Sequence, residues 1–261
     1  MMDLRTRTFG TKAGNRYWWF QRAGHDYVPP VFSFLTDEEW KVVNDWYSDT
    51  DSRFEGHGEC NVPAITLIQG LVMGSAIRHV VQLGHLAGYS TLLLGFMMRR
   101  MNFRRAVISI DISPESSAYT QSWVSRAGLD DYVEIFVGDS ADPAAAAAAR
   151  GYLGAAPALV FVDSSHRYRH TLDELKLWHD EVRAGGLIVL HDASTFAENF
   201  DPSAEGGVSR ALHEWLQRVG APAVLLNGDV SASVPATPDD LVYGDPCGLA
   251  LIQKPFQPHR P

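Results

Sequence analysis

The chain has 261 residues, enough for one α/β domain with a modest extension, and its 46% hydrophobic and 20% charged residues are those of a globular protein. A formal charge of −9, from 22 basic and 31 acidic residues with no Lys/Arg block, argues against a nucleic-acid groove. No apolar run reaches the ~20 residues a membrane helix needs, so no membrane partner is expected.

Residues 1–11 are polar and hold no apolar signal core, so the chain reads as cytoplasmic. Residues 1–60 form an aromatic-rich extension or cap, with Tyr17-Trp18-Trp19-Phe20, Trp40, Trp46 and Tyr47. Thr36-Asp37-Glu38-Glu39 is a capping box, and Trp40, Val43 and Tyr47 then share one helical face. These aromatics either pack the segment onto the core or serve as a substrate lid or a homo-oligomer contact; packing is the preferred reading. The polar stretch 49–58 reads as a loop.

From residue 61 onward, in a core expected to span 61–261, strands and helices alternate. Helices are predicted at 65–76, 90–101, from Pro114, 143–150 and 172–182, and strands at 79–83, 106–111, 132–137, 158–163 and 187–190. The alanine run at 143–150 reads as helix surface. Strands that are apolar throughout imply a parallel sheet covered on both faces, a Rossmann-like doubly wound α/β fold. A helix at 207–219 and strands at 223–226 and 248–254 suggest an antiparallel C-terminal edge. Cys60 and Cys247 make no zinc spacing and no disulfide framework.

In such sheets ligands bind beyond the carboxyl ends of the strands. After the first strand comes Gly84-His85-Leu86-Ala87-Gly88-Tyr89-Ser90, a tight turn into a helix N-terminus. After the second come Asp111 and Ile112, where a carboxylate can accept ribose hydroxyls. After the third come Gly138-Asp139-Ser140, where a carboxylate can accept an adenine amine. Each aspartate alone could be a helix cap; the ordered series is rarer. Leu86 stands where a dinucleotide fingerprint needs glycine, so a cofactor without a pyrophosphate fits better than NAD.

Val81-Gln82-Leu83-Gly84 through Ser90, then Asp111, Gly138-Asp139-Ser140 and Asp163, resemble the ordered motifs of class I S-adenosylmethionine (SAM)-dependent methyltransferases over about residues 61–254. The resemblance implies that Gly84, Gly88, Tyr89 and Ser90 hold the methionine moiety, Asp111 and Ile112 the ribose, Asp139 and Ser140 the adenine, with Asp163 close to the cofactor. The family often has Glu where this chain has Gln82.

Val162-Asp163-Ser164-Ser165-His166 follows the fourth strand, and Leu190-His191-Asp192 the fifth. Methyl transfer to a hydroxyl needs a base or a Lewis-acid metal. His166 is suited to the first, and Asp163 and Asp192 offer hard oxygens for Mg²⁺ or another divalent cation. The pattern is similar to metal-dependent O-methyltransferases of the catechol type and the antibiotic-pathway sugar type. That similarity implies Asp163, His191 and Asp192 as metal ligands and His166 as base. The second-segment pair in those families is usually Asp-Asp or Asp-Asn, and the imidazole of His191 is a softer ligand. Arg167 and Arg169 could meet a substrate phosphate or form surface ion pairs. The function expected is O-methylation of a small-molecule acceptor, preferably a nucleotide-linked or glycosidic sugar in natural-product biosynthesis. Alternatives are a catechol or phenol acceptor, metal-dependent hydroxylation, or a non-catalytic SAM-binding subunit. His57, His79, His85, His170 and His213 show no comparable arrangement.

Overall fold

A computed structural model describes residues 28–53, 59–231 and 241–256; Tyr17-Trp18-Trp19-Phe20 and His57 lie outside these. The described chain begins with α1 (Pro30–Ser33), α2 (Asp37–Arg53) and α3 (Val62–Gly74). Alternation follows: β1 (Val80–Leu83), α4 (Tyr89–Met101), β2 (Val107–Asp111), α5 (Pro114–Arg126), β3 (Val133–Val137), α6 (Pro143–Leu153), β4 (Leu159–Val162), α7 (Tyr168–Glu181) and β5 (Leu187–His191). A 3₁₀ turn (Ala197–Phe200), α8 (Gly207–Val219), β6 (Ala223–Leu226) and β7 (Leu249–Gln253) complete it.

The seven strands lie in the order β3-β2-β1-β4-β5-β7-β6. Pairs from β3 through β5 are parallel, while β7 runs antiparallel between β5 and β6. The fold is thus Rossmann-like and mostly parallel, with an antiparallel C-terminal edge. Strand order reverses between β1 and β4, which opens a crevice at their carboxyl ends. Neighbouring strand residues explain the apolar runs: Val80 packs into the core on the α3–α5 side, and Val81 into the core on the α6–α8 side.

Local chemistry sets the helix starts. The Thr36 backbone N–H donates to Glu39 Oε2 (2.7 Å) and the Glu39 N–H to Thr36 Oγ1 (3.2 Å), the reciprocal capping box. Ser113 and Asp142 cap α5 and α6, each followed by proline at the first helical position. Two expectations change. The alanine run is more than surface, because Ala145, Ala146 and Ala149 are buried. Residues 49–53 are the last turn of α2 and not loop: Tyr119 Oη donates to Asp49 Oδ2 (2.7 Å) and Arg53 pairs with Asp49 (3.1 Å), so tertiary contact overrides polar composition.

The α2 aromatics Trp40, Trp46 and Tyr47, together with Val43, are buried in the core shared with α3 and α4. Among the described residues no helix is long and apolar enough to cross a membrane.

Candidate active site

A cavity of about 780 Å³ opens at the carboxyl ends of β1, β2, β3 and β4. It gathers Gly84, Tyr89, Ser90, Asp111, Ile112, Asp139, Ser140, Asp163 and His166 from the residues singled out in the sequence. Gly88, His191 and Asp192 do not line it; the latter two are buried beside Asp163 and His166.

The turn after β1 is built by close approach. Gly84 has φ +82°, and a Cβ there would stand 2.0 Å from the Asp163 carbonyl oxygen, so only glycine lets β1 and β4 end side by side. Asp111 Oδ2 accepts the backbone N–H groups of His85 and Leu86 (3.0 Å each), and its Oδ1 accepts Ser113 N–H (2.9 Å). The carboxylate expected to face ribose therefore also fastens the glycine turn. Gln82 is fully buried beneath it, donating to Gly84 O (2.9 Å) and Ser90 Oγ (2.7 Å) and accepting from Thr91 Oγ1 (3.0 Å). With its amide fully used, Gln82 braces the turn from below. His85 turns its ring into the protein, bonded to Ser109 Oγ (3.1 Å) and Ser117 Oγ (3.0 Å). Burial pushes its pKa down to about 4 against the pull of Asp111.

At the β3 end, Asp139 Oδ1 accepts Ala141 N–H (2.8 Å) and meets His170 Nε2 (2.9 Å). The Ala141 amide and His170 hold the Asp139 carboxyl below its ordinary pKa. Behind them Glu174 is fully buried and accepts from the hydroxyls of Ser140 (2.5 Å) and Ser164 (2.7 Å). Burial pushes its pKa up, with His170 and the two serines opposing.

The β4 and β5 ends carry the charged groups. His166 Nε2 stands 3.1 Å from Asp192 Oδ2. His191 Nδ1 stands 3.2 Å from Asp192 Oδ2 and 3.3 Å from Asp163 Oδ1, and its Nε2 stands 3.0 Å from Asp245 Oδ2. Burial works against a charged His166, but the hydrogen bond and charge of Asp192, helped by Asp163, win and raise its pKa. Burial likewise opposes a charged His191, and Asp192, Asp245 and Asp163 overcome it. Asp192, although buried, is held far below the ordinary carboxylate range by His191 and by the hydrogen bonds of both histidines. Two backbones are strained here: His166 has φ +57° and Asp192 φ +58°, a region costly for residues with side chains and concentrated at functional sites. Asp163 is no helix cap, since Arg167 occupies the cap position of α7.

Asp163, His191 and Asp192 offer ligand atoms that all lie within 4.8 Å of one another. Ligands bound at about 2.1 Å stand about 3 Å apart when adjacent around an ion. The 3.2 and 3.3 Å separations from His191 Nδ1 match that spacing, so these side chains fit a divalent cation. An ion there would take the place of the proton that His191 Nδ1 otherwise carries.

Sequence reasoning missed several members. His170 was set aside, yet it lines the cavity and engages Asp139 and Ser165 Oγ (2.8 Å). Trp46 donates Nε1–H to Ala87 O in the glycine turn (2.7 Å) and packs on Tyr89 (ring centroids 5.4 Å). Cys60 and Phe200 also line the cavity, with the Phe200 ring 5.8 Å from that of His166. Glu174, in the second turn of α7, carried no local signal of its role. Arg169 pairs with Glu205 (2.8 Å), the surface-ion-pair alternative, whereas Arg167 does line the cavity.

Residues 81–193 match the family model described as a methyltransferase domain. The fold of the chain is similar to that of an O-methyltransferase from Bacillus cereus solved with SAH (16% identity, TM-score 0.60, covering 84% of this chain and 91% of that one). It is also similar to cofactor-bound Rv0187 from MTB (18%, 0.62, 83% and 91%). A third likeness is to the O-methyltransferase TomG of Streptomyces achromogenes, involved in tomaymycin synthesis and solved with SAM (17%, 0.61, 82% and 90%). No curated protein matches the sequence. The matched segment runs from β1 to just past β5 and so contains the whole series Gly84, Asp111, Asp139, Asp163, His166, His191 and Asp192.

Proposed function

We propose that this chain is a methyltransferase that moves the methyl group of SAM to a hydroxyl of a small molecule, with a nucleotide-linked or glycosidic sugar of a natural-product pathway as acceptor. One observation carries the reading: the His166–Asp192 pair, 3.1 Å apart, lies beside Asp163 at the end of the cavity that also holds Gly84, Asp111 and Asp139. The SAM-bound tomaymycin enzyme supports the natural-product setting, and the family resemblance of the sequence supports a sugar.

SAM supplies an electrophilic methyl on a positively charged sulfur. Gly84, Tyr89 and Ser90 bind the amino-acid end, Asp111 and Ile112 the ribose, and Asp139 with Ser140 the adenine. His166 acts as general base. Asp192 engages its Nε2, which leaves Nδ1 to accept the acceptor proton as the oxygen–methyl bond forms and the methyl–sulfur electron pair stays on sulfur. Asp163, His191 and Asp192 would hold a divalent cation, which would act as a Lewis acid on the acceptor hydroxyl. Because the pKa of His166 is raised, its base form grows in as pH rises through a value above ~6.5, and kcat should rise over that range.

A second acceptor class, a catechol or other phenol, is favoured by one feature: the Phe200 ring lines the cavity 5.8 Å from that of His166, where an aromatic acceptor could pack against it. Incubation of the full-length chain with methyl-labelled SAM and parallel panels of sugars and catechols decides between them by which panel gains label. Oxygen consumption without labelled product would instead mean hydroxylation. SAM binding with no turnover on either panel would sink the catalytic reading.

A further inference from the structure

We propose that Asp245 is a positioning residue that makes the cation centre a nitrogen-bearing one, selective for a borderline transition ion such as Mn²⁺ over Mg²⁺. This rests on the cation reading of Asp163, His191 and Asp192 given above.

Asp245 lies on the connection from β6 to β7, remote in sequence from every group so far assigned a role, and its side chain is fully buried. A buried carboxylate is costly unless its oxygens are satisfied. Here Oδ1 accepts Asn61 Nδ2–H (2.7 Å) and the Cys247 backbone N–H (3.0 Å), and Oδ2 faces His191 Nε2 (3.0 Å). The loop itself is tied down by Asn227, whose Nδ2 donates to the carbonyls of Tyr243 and Asp245 (2.7 Å each). The carboxylate therefore has two anchors before it meets the imidazole, and Asn227 fixes the loop that carries it.

The anchor has a chemical consequence. A carboxylate can only accept, so Nε2 is the nitrogen that carries hydrogen toward Asp245. The other ring nitrogen, Nδ1, is then the one turned to Asp163 Oδ1 (3.3 Å) and Asp192 Oδ2 (3.2 Å). This is the arrangement in which a ligating histidine hands its far N–H to a carboxylate, which fixes the ring and strengthens it as a donor. A nitrogen donor contributes little to Mg²⁺, which prefers oxygen, and much more to borderline transition ions. Asn61 stands just before α3, so the same hydrogen bond ties the N-terminal helices to the centre.

The test uses the full-length chain stripped with chelator and then titrated with MnCl₂ and with MgCl₂ by calorimetry. Pulsed electron paramagnetic resonance of the Mn²⁺ form reads whether nitrogen touches the ion. The wild type is expected to bind Mn²⁺ at least ~10-fold more tightly than Mg²⁺ and to show nitrogen coupling. Asp245→Asn should weaken Mn²⁺ by about 10–100-fold, with a smaller change for Mg²⁺. His191→Asn should remove the imidazole signal and level the two affinities. Asn61→Ala, which loosens Asp245 without touching a ligand, gives an intermediate loss and keeps the proposal testable if Asp245→Asn does not fold. Wild-type binding of Mn²⁺ without nitrogen coupling, or unchanged Mn²⁺ affinity in folded Asp245→Asn and in Asn61→Ala, overturns this proposal and leaves the cation reading standing. Failure of the wild type to bind either ion removes both.

Discussion

Two histidines in this crevice are buried almost equally and face opposite fates. His85, at the cofactor end, lies between the hydroxyls of Ser109 and Ser117, and burial drives its pKa down to about 4. His191, at the reaction end, lies among Asp163, Asp192 and Asp245, and their charges raise its pKa. The cofactor end is thus assembled from backbone amides and hydroxyls around a glycine turn, with Asp111 satisfied by backbone N–H groups, whereas the reaction end is assembled from facing charges on strained backbone. Burial alone does not decide ionisation; the neighbours do. A frame whose carboxylates are spaced apart and hydrogen-bonded to the turn suits binding of a whole cofactor, and concentrated charge suits moving a proton.

Loss of the base should have the largest effect. His166→Ala is expected to lower kcat by about 10²–10⁴-fold with SAM binding retained in calorimetry. Unchanged turnover at saturating substrates would show that the charged end does no proton transfer, and the contrast between the two ends would collapse.

The neutral His85 gives a pH signature of opposite sign to its charged counterparts. Its folded pKa of about 4 lies below the ordinary ~6.5, so between those values the unfolded chain binds a proton that the folded chain does not. Stability therefore falls as pH drops through that window and is unaffected above it. Thermal unfolding of wild type and His85→Asn should show the wild type losing up to roughly 3 kcal/mol relative to the variant between pH 6.5 and 4. Parallel melting curves would mean that His85 is not held neutral. His166, with its pKa raised, contributes in the other direction, present below ~6.5 and lost as pH rises through its folded value.

The smallest effect sharpens the picture of the cofactor end. Asp111→Ala removes the acceptor of the His85, Leu86 and Ser113 amides as well as the expected ribose contact. SAM should bind about 10–100-fold more weakly, in keeping with ~1.5–3 kcal/mol for hydrogen bonds to a charged group. Asp111→Asn, which keeps half of the acceptor capacity, should fall between, and an alanine variant that binds SAM normally would deny Asp111 any part in the crevice.

Much of this was readable from sequence, and the reason is topological. Strands apolar on both faces can only be a covered parallel sheet, and a parallel sheet sends every strand end to one side. Gly84, Asp111, Asp139 and Asp163 could be picked out because each stands at or just past the end of its strand. The helices were equally legible where a capping box or a proline announced them, as at Thr36 and Pro114.

Other members of the site had no local mark. Trp46, His170, Glu174 and Asp245 reach it from the N-terminal helix, from one face of α7 and from the β6–β7 loop. Nothing in the residues beside them says which way they turn. Local patterning thus determined where the strands fall along the chain and the groups at their tips. Only the packed chain decided which histidine stays neutral and which meets three carboxylates, because that depends on side chains brought together across long stretches of sequence by burial rather than by spacing.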